Sequence, residues 1–292
     1  MRTGTASLTA QIVSFSRGLA TVAPRTRTEL SDVVASELLP APLGATLRAL
    51  ERSPGLARVA GGALSAASLG LVDHLALRTL AIDDAAREAM RAEVKQLVLL
   101  GAGLDNRAGR LKGFARAFEI DHPDMQRYKR DRLAQAEVID HRVLVPVNFE
   151  HDRLDASMER AGFSKETPTF WIWEGVTPYL TPQAIESTLE QVGSLSAPGS
   201  RLCVTYMRPA ADVGHSIDRL GRFLGDLVGE HLRGQYRRHE MEELLARFGF
   251  GVLSDEADID LANRYWKDPP SAHPRTIHLF PEWERLAVAE RR

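Results

Sequence analysis

The stretch QLVLLGAGLDNR, Gln96 to Arg107, is an apolar run that breaks into a glycine-bearing turn. A continuous apolar run without polar alternation is what a strand buried on both faces of a parallel sheet presents. The turn has the look of a phosphate loop, yet the third glycine of a G-x-G-x-x-G fingerprint falls on Asn106. In a dinucleotide site those glycines admit the pyrophosphate and let the helix pack tightly. Here Asp105 stands at the mouth of the following helix, where a carboxylate repels a pyrophosphate and competes for the same amide groups. An ammonium or sulfonium is tolerated there, so the loop argues for a nucleoside ligand without phosphates. Asp105 also suits a cap or a pairing with Arg107.

Outward from this stretch, RAFEIDHP, RVLVPVNFE, TFWIWEGVTPYL and SRLCVTYM read as four more strands, although Pro146 is awkward for a central one. Pro123 sits well at a helix N1 position, and Thr181-Pro182 form an N-cap and N1 pair ahead of Ile185, Leu189, Val192 and Leu195 at helical spacing. RHEMEELLARFGFGVLSD reads as a helix closed by Gly249 and running into a strand, and RTIHLFPEW as a last strand. Residues 1–95 read as helical, LSAASLGLVDHLALRTLAIDD first and then a second helix from about Asp83 to Val94. Strands alternating with helices mean a parallel sheet with right-handed crossovers. The expected organisation is a helical cover over 1–95 and an α/β unit over 96–292.

Ligands in open α/β sheets lie beyond the carboxyl ends of the strands. Those ends carry Gly101 and Gly103, then Asp121, then Asn148-Phe149, Glu174-Gly175 and Tyr206-Met207-Arg208. Asp121 comes 18 residues after Gly103, near the spacing expected of a carboxylate that accepts hydrogen bonds from two ribose hydroxyls. Trp171 and Trp173 flank Ile172 in their strand and read as core.

The formal charge of −2, from 37 basic and 39 acidic residues, leaves no electrostatic footprint for nucleic acid. Cys203 is the single cysteine, which excludes an intrachain disulfide and a cysteine-based metal site. It reads as a small buried hydrophobe. The longest apolar-looking stretch, VAGGALSAASLGLV, is too short to span a bilayer. Gln11 and Arg17 interrupt any signal-peptide pattern, so a cytoplasmic protein without a membrane partner is expected.

Taken in order, QLVLLGAGLDNRAGRL, FEIDHPDMQRYKR, VPVNFE and WEGVTPYLTPQAI resemble the leucine carboxyl methyltransferase family. SLTAQIVSFSRGLA, DHLALRTLAIDDAAREA and LLARFGFGVLSD are similar to it as well, so the resemblance covers almost the whole chain. It implies an α/β fold, a Rossmann-like seven-stranded methyltransferase sheet whose last strand is antiparallel, with an N-terminal helical cover. It implies S-adenosyl-L-methionine as cofactor. Arg78 is implied to pair with the methionine carboxylate, although beside Asp73 it also suits a local ion pair. Gly101, Ala102 and Gly103 would lie against the amino-acid portion, Asp121 with its neighbour His122 against the ribose, and Asn148 with Phe149 against the adenine. Asn148 stands where relatives usually carry Asp; its amide oxygen can still accept from the adenine amine. Glu174 would face the ammonium group.

Methyl transfer from a sulfonium is an in-line displacement that depends on alignment and on a cover excluding water. A carboxylate acceptor is ionised at neutral pH and needs only an orienting donor, which Tyr179 with Arg78 or Arg208 could supply. A phenol or alcohol would need a general base, and none of the nine histidines sits in a motif marking it as one. The expected function is therefore O-methylation of a small-molecule or peptide carboxylate. Hydroxyl methylation of polyketide-type metabolism is the alternative, and a nicotinamide-dependent oxidoreductase or a non-catalytic cofactor-binding protein are the alternatives outside that class. The segment from Arg208 to Glu240, with Tyr179, Tyr206, Arg208 and His231, is expected to form much of the acceptor pocket.

Overall fold

The computed structural model describes residues 6–68, 70–138, 140–149, 152–213, 233–267 and 283–292. The apolar runs become β1 (Gln96–Leu100), β2 (Arg116–Asp121), β3 (Arg142–Pro146), β4 (Thr169–Trp173) and β5 (Arg201–Met207), followed by β6 (Phe250–Ala257) and β7 (Glu284–Arg291). They form one sheet in the order β3-β2-β1-β4-β5-β7-β6. Neighbours among β1 to β5 are parallel, and β7 runs antiparallel between β5 and β6. β3 lies at the edge and Pro146 is its last residue, so its missing N–H breaks no central ladder.

The runs are apolar throughout because both faces are covered. Val98, Leu100, Trp171 and Trp173 point to one face and pack with α8 (Leu154–Arg160), α9 (Pro182–Ser194) and α11 (Arg238–Arg247). Leu97, Leu99, Phe170, Ile172 and Cys203 point to the other, against α5 (Leu71–Arg91) and α12 (Asp258–Tyr265). This is the two-residue alternation of a pleated strand with both sides buried. A third core joins α1 (Leu8–Val22), α2 (Ala35–Leu38), α3 (Ala41–Glu51) and α4 (Pro54–Ala67) to Met125 and Leu133 of α7 (Pro123–Gln135). Pro123 and Pro182 start their helices, and the Thr181 side chain accepts from Ala184 N; two single-turn helices, α6 (Arg107–Arg110) and α10 (Ala210–Val213), follow β1 and β5. Among the described residues no single helix is long and apolar enough to cross a membrane.

Two local readings need correction. The helix break falls at Gly70, not at Asp83: α5 runs unbroken from Leu71 to Arg91. Asp83 therefore lies inside the helix, fully buried, where Arg107 and Arg110 take its carboxylate instead of the helix dipole. The final strand is ERLAVAER, with an interior nearly continuous in apolar and small residues; of the expected RTIHLFPEW strand, residues 275–282 lie outside the described residues and Trp283 immediately precedes β7.

Gly70 has φ +87, and a Cβ there would meet nothing within 4 Å. The penalty for any other residue is thus purely that of a left-handed backbone. Gly70→Ala should lower stability by about 1–2 kcal/mol in chemical denaturation, and an unchanged midpoint would contradict this account of the α4–α5 break.

Candidate active site

A cavity of about 720 Å³ opens at the carboxyl ends of β1 to β5, where the strand order reverses between β1 and β4, the switch point at which such sheets bind ligands. Gly101, Ala102, Gly103, Asp121, His122, Asn148, Phe149, Glu174 and Tyr179 all line it. Because β7 is antiparallel to β5, its first residue Glu284 and the preceding Trp283 reach the same edge. α5 covers the cavity with Leu71, His74, Leu75 and Arg78, and α1 with Ala10, Ile12, Val13 and Arg17.

Two expected pocket residues are not in its lining. Tyr206 is fully buried in the core with its hydroxyl on Asp255 Oδ2 at 2.5 Å, because strand alternation turns Met207 to the cavity instead. Arg208 is not among the lining residues. His231 lies outside the described residues. Trp171 and Trp173 are core, as read. Cys203 is buried too, and burial pushes its thiol up.

The floor is built from charge. Asp258 Oδ1 is 2.8 Å from His74 Nδ1, and Glu284 Oε2 is 2.7 Å from His74 Nε2. Glu284 also takes Arg78 Nη1 at 2.9 Å, while Arg78 Nε donates to Glu174 Oε1 at 2.8 Å. The other Glu174 oxygen accepts from Arg107, which also pairs with Asp105. Asp105 lies 3.9 Å from Arg17, and Arg17 reaches Asp32 at 3.1 Å. Anion and cation alternate along this ladder, from Asp258 through His74, Glu284, Arg78, Glu174, Arg107, Asp105 and Arg17 to Asp32. With His74 protonated it holds four cations and five anions, a net charge of −1.

The ladder shows which pairs Arg78 and Asp105 make within the chain. Asp73 pairs with Arg25 at 2.9 Å and takes the Ser65 hydroxyl, so the local pair with Arg78 does not form. Asp105 does pair with Arg107, whose backbone N–H it also accepts at 2.7 Å. Asn106, in place of a third glycine, is buried, accepting from Arg142 Nη2 at 2.6 Å and donating to Asp32 Oδ1 at 3.4 Å. Arg78 Nη2 makes no hydrogen bond among the described residues and lies beside Gly175. Gly101, at φ +69, brings backbone to the cavity wall where a Cβ would stand 2.5 Å from Val176 Cγ2. Asp121 accepts from Gly103 N and His122 N, both at 2.6 Å. Burial nevertheless raises its pKa, with those two N–H groups opposing.

Burial alone would strip the proton from His74, but Asp258 and then Glu284 outweigh it and lift the pKa to about 10. Burial works in the opposite sense on Glu284, yet Arg78 and His74 hold it down at about 2. Against burial, Arg107 first and Arg78 next keep Glu174 below the usual carboxylate range.

Residues 10–193 match the leucine carboxyl methyltransferase family. The chain belongs to that family. Over 221 residues it is 34% identical to a candidate S-adenosyl-L-methionine-dependent methyltransferase of Mycobacteroides abscessus, spanning 73% of this chain and 71% of that one. Over 219 residues it is 40% identical to a counterpart from Mycolicibacterium paratuberculosis, spanning 69% and 68%. A candidate methyltransferase structure from Thermobifida fusca superposes over 99% of this chain and 96% of its own, with a TM-score of 0.59 at 14% identity. A duf574 family protein from Streptomyces avermitilis superposes over 98% of each chain, also at 0.59 and 16% identity. At such identities the two structures speak for the fold. The protein is an S-adenosylmethionine-dependent methyltransferase rather than a nicotinamide-dependent oxidoreductase.

Sequence reading gave no site role to three charged residues lining this methyltransferase's cavity, Arg17, His74 and Glu284, or to Arg107 buried beside them. Arg17 betrayed itself only as a lone charge in an apolar helix, and His74 by its spacing of four from Arg78. Arg107 showed only as a partner for Asp105, and Glu284 carried no local signal. Arg107 is fully buried among Asp83, Asp105 and Glu174. Arg107→Met should cost about 3–5 kcal/mol in urea unfolding, and a loss below about 1 kcal/mol would contradict its structural weight.

The His74 cluster sets a pH dependence. The folded pKa lies above the ordinary 6.5, so the folded chain keeps a proton that the unfolded chain has lost. Its stabilisation is complete below the unfolded value and declines as pH rises toward about 10. Between roughly pH 7 and 8.5, below the ordinary cysteine and tyrosine range, the melting temperature should fall. In His74→Gln the fall should be shallower, and parallel slopes would contradict the assignment.

Proposed function

We propose that the chain transfers a methyl group from S-adenosylmethionine to the carboxylate of an apolar small molecule. The donor supplies an activated methyl on a sulfonium. The residues present suit it: the ladder is one negative charge in excess, Arg78 Nη2 has N–H groups uncommitted within the described residues, and Gly101 admits close backbone approach. Arg78 would hold the methionine carboxylate, Gly101 to Gly103 the amino-acid portion, and Asp121 the ribose through the second lone pairs of its oxygens. Asn148 and Phe149 would meet the adenine.

One observation carries the choice of acceptor. Among the described residues, His74, Glu284 and Glu174 are not poised to remove a proton: both His74 nitrogens face carboxylates, and Glu284 and Glu174 are held ionised by cations. His122 lines the cavity beyond β2, on the other side of the switch point from β4 and β5, its Nδ1 accepting from Asp124 N. This arrangement favours an acceptor that arrives already ionised, as a carboxylate does at neutral pH. The surrounding Leu71, Leu75, Pro178, Met207 and Trp283 favour an apolar body. Tyr179 orients the carboxylate through its hydroxyl, and α1 keeps water from the reacting atoms.

Purified protein with S-adenosylmethionine should convert apolar carboxylic acids to methyl esters at neutral pH, with matched phenols and alcohols unreacted. Methylation of phenols alone, with rate lost in His122→Ala, would overturn this reading. In calorimetry Arg78→Ala and Asp121→Ala should each weaken donor binding about tenfold or more. Asn148→Asp should tighten it by a few-fold, as a charged acceptor strengthens the bond to the adenine amine. Unchanged affinity in both alanine variants would sink the site assignment.

A further inference from the structure

Glu284, the first residue of β7, is shared by two cations of α5. His74 and Arg78 are four residues apart on one helical face, and both line the cavity. His74 Nε2 lies 2.7 Å from Glu284 Oε2; Arg78 Nη1 lies 2.9 Å from that oxygen and 3.1 Å from Oε1. On its other side His74 Nδ1 meets Asp258 Oδ1 at 2.8 Å, at the start of α12. Arg78 is gripped on two edges, by Glu174 at Nε and by Glu284 at Nη1, and those two grips set where Nη2 points. Glu284 can hold its edge only while its own carboxylate is held.

We propose that His74 is a positioning residue for methyl transfer: clamped between Asp258 and Glu284, it fixes Glu284 and through it the guanidinium of Arg78. The inference rests on the reading that Arg78 faces the donor. It excludes His74 as a general base, because both ring nitrogens are already committed to carboxylates. It differs from a plain structural tie of α5 to α12, which would need only the bond to Asp258.

Two side chains separate these roles. The amide nitrogen of a glutamine reaches where Nε2 stands and keeps the bond to Glu284. That of an asparagine reaches where Nδ1 stands and keeps the bond to Asp258. Both lose the charge equally, so their difference isolates the bond. Affinity for S-adenosylhomocysteine by calorimetry, kcat and donor KM, and melting temperature should be measured for His74→Gln and His74→Asn. The asparagine variant should bind about tenfold more weakly and lose kcat/KM in step, with the two melting temperatures close together. A glutamine variant as damaged as the asparagine variant, or more so, would overturn the proposal, since that is the order expected of a tie to α12.

Glu284→Asp carries the same question with every partner of His74 retained: shortening the bridge should weaken binding about tenfold, and unchanged binding would overturn the proposal. Arg78→Ala in the same series separates the two levels of inference. Undiminished donor affinity there removes the assignment of Arg78 and the role of His74 with it. Weakened affinity there, with indistinguishable His74 variants, removes the positioning role alone.

Discussion

Nine charges, all but Glu174 buried, alternate in sign from Asp258 to Asp32 and tie the covering helices of this methyltransferase to the carboxyl edge of its sheet. α5 contributes His74 and Arg78, α1 contributes Arg17, and the strand ends and loops supply most of the opposing carboxylates. Taking so many charges out of water is costly, and such a network is tolerated only when each member is paired. The pairing therefore dictates how α1 and α5 sit over the strand ends, and with them the shape of the cavity. The ladder begins and ends on a carboxylate, which leaves a net negative floor under a ligand that carries positive charge.

The same constraint explains the departures from a nucleotide-binding loop. Asp105 and Asn106 occupy the positions where a dinucleotide fold needs access and a small residue, because here they are structural members: one pairs with Arg107, the other links Arg142 to Asp32. The missing glycine follows from the ladder passing through that turn. Asp83, placed inside α5, is recruited by Arg107 and Arg110 in the same way, which is why two adjacent acids do not begin a helix.

Legibility in the sequence followed the range of each interaction. Five parallel strands were readable because their local texture is apolar on both faces, and the strand-end residues Gly101, Asp121, Asn148 and Glu174 came with them. Tyr206 was misjudged because a strand end does not say which neighbour faces the cavity; the two-residue period sends Met207 there. The partners of Arg78 were out of reach: Glu174 is 96 residues away and Glu284 206. His74 and Asp258, 184 residues apart, belong to two helices that are brought together only by the tertiary fold. β7 was overlooked because its charged ends mask a short apolar centre.

The central claim is that this ladder frames a site for the donor, with Arg78 at its amino-acid end and Asp121 at its ribose. A crystal structure with S-adenosylhomocysteine tests it most directly. The account predicts the ligand's carboxylate on Arg78 Nη2, its hydroxyls on Asp121, and its adenine beside Asn148, with the Glu284 and Glu174 pairs of Arg78 intact. A ligand bound without touching Arg78 and Asp121, or one that displaces Arg78 from both glutamates, would contradict it.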